Sequence, residues 1–299
     1  MNKNLNIRER WFEHNGISSC CIDDVLWREY KRMIVPVGPA EFNYSLTHEQ
    51  LQILFQKFPS AIACRYTTYE ENFYGNCDFY AVVCRKQIHL ESLESKRRSE
   101  INRGLRNCKV SIVNPLDICD EAYFIYRKSV EGYGNKPLSA SDFKKEFVSV
   151  LGFEDFVNFW GVFSEDKLIA YAKVYLYESN EASVSLLKID DDFLNYYPSY
   201  ALFYHLLQYY IGERGFKLVN DGHRNLLHET NIQEFLIKKF GFEMLQLRVH
   251  LQYKKPWGLV IRVLNPFAPI IKLVYPPAEA LIKLHRIFRK QKSIAERKH

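Results

Sequence analysis

Four runs decide the fold: LIAYAKVYLY (168–177), ASVSLLK (182–188), SYALFYHLLQYYI (199–211) and FKLVN (216–220). In the first, Leu168, Ala170, Ala172, Val174 and Leu176 recur at every second position, the period of a strand. The second run is short, rich in small and branched residues, and reads as the next strand. The third is too long for a strand and apolar nearly all round, as a buried helix is. The fourth is again a strand. A helix ending at Gly241-Phe242 follows. Strand, helix, strand in this order predicts a parallel pair of strands with a crevice at their carboxyl ends. A small donor molecule would sit there.

Working outward on the amino-terminal side, Phe156 to Phe163 pairs with Lys167 to Tyr177 across the turn Ser164-Glu165-Asp166. Ser139 to Leu151 and Glu121 to Val130 show helical stripes, separated by the loop Gly132-Tyr133-Gly134-Asn135-Lys136-Pro137. Leu93 to Asn107 is a basic helix carrying Lys96, Arg97, Arg98, Arg103 and Arg106, and Gly104 weakens it by about 1 kcal/mol relative to alanine. Val110 to Val113 is a short strand. Earlier still, Lys31 to Val37, Ala61 to Tyr66 and Phe79 to Arg85 read as strands, the last two joined through Phe73-Tyr74-Gly75-Asn76. Thr47-His48-Glu49-Gln50 fits a capping box that opens a helix on the Leu51, Leu54, Phe55, Phe58 face.

On the carboxyl side Phe242 to Tyr253 is a last strand, and Pro256-Trp257-Gly258 marks a boundary. Residues 256–299 hold nine Lys/Arg against two Asp/Glu, a net +7 within a chain of net +6, so the remaining body is close to neutral. Ala278 to Lys292 places Leu281, Leu284, His285 and Phe288 on one stripe with Lys283, Arg286, Arg289 and Lys290 around it. That pattern suits an interfacial membrane helix or a helix packed on the body with its basic side in water. Trp257 to Ile287 contains Arg262, Lys272, Glu279 and four prolines, so it is not expected to span a bilayer. The seven cysteines show no Cys-x-x-Cys pair and no zinc spacing, and several lie in apolar runs. With a polar amino terminus, this predicts a cytoplasmic protein, at the inner face of the membrane if the basic tail is the interfacial helix. No metal and no DNA partner is expected.

Four segments together resemble the GNAT acyltransferase superfamily, in its Fem-type, FemAB-like branch. These are the basic helix with Arg98, Ile101, Asn102 and Gly104 before its strand; the hairpin Asp166-Lys167-Leu168-Ile169-Ala170; Arg214-Gly215-Phe216-Lys217 followed by Asn220-Asp221-Gly222; and Phe235 to Phe242, closing at Gly-Phe. The resemblance implies an α+β, GNAT-like fold, a mixed twisted sheet flanked by helices. It implies two GNAT-like lobes: residues 1–92 a partial amino-terminal lobe, 93–255 the acyltransferase domain, 256–299 a basic amphipathic tail. It further implies N-acyl transfer (acetyl, acyl or aminoacyl) to an amine, with a cell-envelope sugar or peptidoglycan-type precursor as acceptor. The acyl carbonyl would sit between Ala182–Lys188 and Phe216–Asn220, bound by a strand amide.

Donor contacts would then come from Leu187, Lys188 and Ile189 and from the helix start Pro198, Ser199 and Tyr200. The loop before that helix departs from the superfamily: Asp190-Asp191-Asp192 stands where glycines and a basic residue usually cradle the diphosphate of acyl-CoA. Aminoacyl-tRNA is the alternative donor, and the basic helix would suit its backbone; read without a ligand, the helix is a solvated surface. A second departure is Ile237, where many relatives have a tyrosine that protonates the leaving group. From the residues themselves, His223 is a candidate base oriented by Asp221, with Glu229 next, since a histidine beside a carboxylate titrates near working pH. The structural alternative makes Asp221-Gly222 a turn and Thr230 with Gln233 a helix cap. Tyr133, Tyr196 and Tyr197 are candidate walls of the acceptor site, and His205 a core residue. The missing glycine loop and tyrosine also fit a binding protein on a GNAT scaffold that has lost its donor site.

Overall fold

The computed structural model describes residues 3–69, 78–132, 134–178, 180–226, 231–267 and 277–296. In chain order the elements are α1 (Lys3–His14), β1 (Ser19–Ile22), β2 (Val25–Tyr30), β3 (Met33–Val37), α2 (His48–Lys57), β4 (Ala63–Tyr69), β5 (Tyr80–Cys84), α3 (Ser95–Asn107), β6 (Lys109–Val113), α4 (Cys119–Gly132) and α5 (Ala140–Val148). They continue with β7 (Val157–Ser164), β8 (Lys167–Tyr177), β9 (Glu181–Ile189), α6 (Pro198–Leu207), β10 (Leu218–His223), α7 (Asn231–Phe240), β11 (Glu243–Tyr253), α8 (Trp257–Leu264) and α9 (Pro277–Glu296). The chain packs as two units: residues 1–82, 223–234 and 244–299 form one, residues 83–222 and 235–243 the other.

In the first unit the strand order is β1-β2-β3-β4-β11, antiparallel except for the parallel pair β3–β4. Its core gathers Trp27, Ile34, Leu54, Phe58 and Tyr66, so the helical face read around Leu54 and Phe58 is the buried one. The capping box at Thr47 forms as expected: its hydroxyl accepts from Gln50 N at 3.2 Å, and Gln50 Oε1 accepts from Thr47 N at 2.8 Å. Strand β3 is the one read at Lys31 to Val37, whereas β1 and β2, and so the pairing of the hairpins β1–β2 and β2–β3, lie outside the elements read from sequence. Their two-residue turns, Asp23-Asp24 and Lys31-Arg32, hold positive φ of 47° to 61° without a glycine to mark them. Helix α9 buries Leu281, Ile282, Leu284 and His285 and turns Arg286, Arg289 and Lys290 outward. Of the two readings of this segment, it adopts the packed one. Gln291 fixes it to β11, donating to Leu247 C=O at 3.1 Å and accepting from Val249 N–H at 2.8 Å.

In the second unit the order is β10-β9-β8-β7-β6, antiparallel except for the parallel pair β9–β10. Both faces are covered, which is why Ile169, Tyr171 and the alternating set Leu168 to Leu176 are all buried. On one face Tyr171 meets Phe147 of α5, with ring centroids 6.0 Å apart. On the other, Trp160 Nε1 donates at 2.9 Å to Tyr210 OH, which donates at 2.9 Å to Asn158 Oδ1, tying the extension of α6 to β7. Among the described residues no helix is long and apolar enough to cross a membrane.

Candidate functional site

The parallel strands β9 and β10 are paired over only three positions: Leu218 with Glu181, Val219 with Ala182, and Asn220 with Ser183. Beyond them β9 runs on to Ile189 and β10 to His223, with no pairing between the two. Local sequence explains the parting. Ser185 is an extra residue in β9, since Val174 faces Val184 while Lys173 faces Leu186, and its hydroxyl donates to Lys173 C=O at 3.0 Å. A bulge of this kind bends and twists the strand that carries it. On the other strand Asn220 is anchored, donating to Glu181 Oε1 at 2.8 Å and accepting from Gly222 N at 2.7 Å. Gly222 then takes φ +91°, a conformation that a side chain would strain. The backbone of Val184–Ile189 that would face β10 therefore has no strand partner among the described residues.

Asp221 is the first residue of β10 past the last paired position, where Val184 would have been its neighbour. Burial pushes its carboxyl up to about 7. Loss of solvation around the group disfavours its ionised form.

His223 lies in the first unit. Its ring stacks on Phe79, centroids 5.4 Å apart. It keeps surface accessible to solvent, yet crowding by protein, with a contribution from Arg65, lowers its pKa to about 3. The imidazole is therefore neutral at working pH. Glu229, Tyr133 and the Thr230 cap lie outside the described residues. His205 is half-buried beside Tyr204, and burial lowers its pKa.

Leu187, Lys188 and Ile189 line the unpaired stretch of β9. Lys188 is half-buried; its amine donates to Ser129 Oγ at 3.0 Å, and burial lowers its pKa. At the start of α6, Tyr197 is left-handed at φ 63° and ψ 44°, and Pro198 brings no N–H. Tyr200 N and Ala201 N both return to Tyr197 C=O, at 3.1 and 3.2 Å. Tyr200 packs its ring on Phe235, and Tyr196 lies against Phe193. Tyr197 carries the Arg103 guanidinium over its ring at 4.9 Å.

Two features of this site were hidden in the sequence. Gly104 is a point of close approach: a Cβ there would sit 2.7 Å from Tyr197 O and 3.0 Å from Ala201 N. Its lack of a side chain lets α3 touch the first turn of α6, and Arg98, Arg103 and Arg106 of the same helix are exposed. Two of the three acids of the 190–192 loop are answered from α4. Lys128 Nζ reaches Asp190 Oδ1 at 2.6 Å and Asp192 Oδ2 at 2.7 Å, with Asp190 only 2% exposed. A cation 62 residues away in sequence thus does what the loop itself does not. Among the described residues no three metal-type side chains gather.

No protein-family model and no curated protein matches the chain. Solved structures do. The C-terminal domain of a protein assigned as a lysylphosphatidylglycerol synthetase from Agrobacterium fabrum superposes with TM-score 0.54 at 13% identity, over 88% of this chain and 91% of that one. FemX gives 0.51 at 10% identity, over 83% and 89%. A conserved protein of unknown function from Bacteroides thetaiotaomicron gives 0.51 at 14% identity, over 84% and 90%. The fold is thus the GNAT-type α+β fold in its Fem-like form, as the sequence led us to expect.

Proposed function

We propose that the chain is an N-acyltransferase that joins donor and acceptor in the gap between β9 and β10. The observation that carries this reading is the parting of the two strands after Ser183 and Asn220, with Asp221 at the fork. The acyl carbonyl enters the gap, and strand amides of Val184–Ile189 accept its developing negative charge. Asp221 takes a proton from the acceptor ammonium. The amine nitrogen attacks the carbonyl carbon, the bond to the leaving sulfur or oxygen breaks, the proton held by Asp221 passes to that leaving atom, and the second proton the nitrogen sheds on becoming an amide goes to the freed Asp221 carboxylate and from there to solvent. This cycle needs no second acid, which accommodates Ile237 where a tyrosine is usual.

The base is assigned to Asp221 rather than His223 because an imidazole of pKa about 3 takes up protons poorly near neutrality. The donor is one that carries phosphates, acyl-CoA or aminoacyl-tRNA, since α3, with its exposed arginines, touches the first turn of α6. The closed first turn of α6 and the absent glycine loop favour the aminoacyl-tRNA. One structural neighbour is named for lysylphosphatidylglycerol, an aminoacylated lipid, which is in keeping with an acceptor in the cell envelope.

Thermal melting with acetyl-CoA, free CoA and charged tRNA, followed by a transfer assay with the donor that binds, tests the reading. Stabilisation by one donor and loss of transfer in Asp221→Asn support it. Absence of any donor shift supports instead a binding protein on the same scaffold.

A further inference from the structure

The first unit has an apolar surface that the proposed chemistry does not use. On α8, Leu259 and Val263 stand one turn apart at 64% and 58% exposure, with Leu264 and Phe267, the latter 54% exposed, continuing the face. The opposite side of the helix is seated: Ile261 is buried, and Arg32 lies 5.4 Å above the Trp257 ring. From α9, Arg286 donates to Asn265 Oδ1 and Asn265 O at 2.8 and 3.0 Å, holding the end of the helix. The inner side of the helix is thus packed on the first unit while the outer side stays exposed. Contiguous exposed apolar side chains of this size mark an interaction site.

The charge at its rim selects the occupant. Lys255 and Arg262 are exposed beside the apolar side chains, and 257–267 contains no acid. A second copy of the same face would bring these cations together, next to the remaining positive charge of residues 256–299, which opposes self-association. An anionic bilayer satisfies both parts: Leu259, Val263 and Phe267 enter the acyl boundary while Lys255 and Arg262 meet headgroup phosphates.

We propose that the outer face of α8, and not the buried stripe of α9, docks this protein on an anionic lipid surface. The inference goes beyond the transfer reaction and holds whether or not transfer occurs. Flotation of the full chain with phosphatidylcholine vesicles, and with vesicles containing equal phosphatidylglycerol, tests it. The expected result is binding that requires phosphatidylglycerol and weakens with salt. In Leu259→Glu/Val263→Glu, binding falls about ten-fold or more, with an unchanged melting temperature. Arg262→Glu should give a smaller loss. Wild-type protein that stays unbound, or a double variant that floats equally well, overturns the proposal. So does a wild-type dimer in sedimentation that the double variant converts to monomer, because the face is then a contact between copies.

Discussion

At the scale of single residues, Asp221 and His223 titrate in opposite directions for the same cause, loss of solvent around a group that would carry charge. Asp221 has a folded pKa of about 7, above the value near 4 of an unfolded carboxyl. Between these values the folded state binds the extra proton, so stability is fullest at low pH and declines as pH rises through about 7. Asp221→Asn removes that decline. We expect it to melt higher than wild type at pH 8 and equally at pH 4, while turnover falls about 100-fold or more. An aspartate with a purely structural role would lose stability along with activity. His223→Gln separates the two residues: the rising limb near pH 7 in kcat/KM persists in this variant and disappears in Asp221→Asn. A limb that followed His223 instead would return the base to the imidazole. Sequence brought both residues into view because they follow a strand in a crossover block. It did not rank them, because the ranking comes from burial and from the charge of Arg65, more than a hundred residues earlier in the chain.

At the scale of elements, the crossover block and the strands around it were legible because their periods are clean: alternation through Leu168–Leu176, an apolar helix, a second short strand. The amino-terminal hairpins were not, since Asp23-Asp24 and Lys31-Arg32 adopt left-handed turns usually signalled by Asn-Gly. Helix α8 was hidden by the prolines around it. Gly104 was visible only as a weak point in a helix, although its contact with Tyr197 and Ala201 sets the spacing of α3 and α6. That contact makes a sign prediction. Alanine is intrinsically better than glycine inside a helix by about 1 kcal/mol, whereas forcing a methyl into a close backbone contact costs about 1–3 kcal/mol. The contact at 2.7 Å is to a backbone oxygen, which cannot swing away as a flexible side chain can. Gly104→Ala should therefore lower the melting temperature and weaken donor binding through the displaced first turn of α6. A raised melting temperature would show that the two helices do not meet at this glycine.

At the scale of the whole chain, the carboxyl-terminal segment has two jobs that its basic composition conceals. Helix α9 builds the first unit: Leu281, Ile282, Leu284 and Ile287 are buried, and Gln291 satisfies a backbone donor and acceptor of β11 that would otherwise be orphaned away from water. His285, hydrogen-bonded through Nδ1 to Tyr253 OH at 2.9 Å, adds a second tie to the same strand. Surface attraction, by our reading, belongs to α8. Deleting 277–299 should therefore damage folding before it reports on any membrane, lowering the melting temperature and opening β11 to proteolysis. Gln291→Ala isolates the effect without removing charge. Stranding one buried backbone N–H and one C=O costs about 1–3 kcal/mol, so the variant should melt measurably lower while its vesicle flotation stays at the wild-type level. If Gln291→Ala melts like wild type, or if the truncated chain keeps its melting temperature and loses only lipid binding, the division of labour between α9 and α8 is reversed.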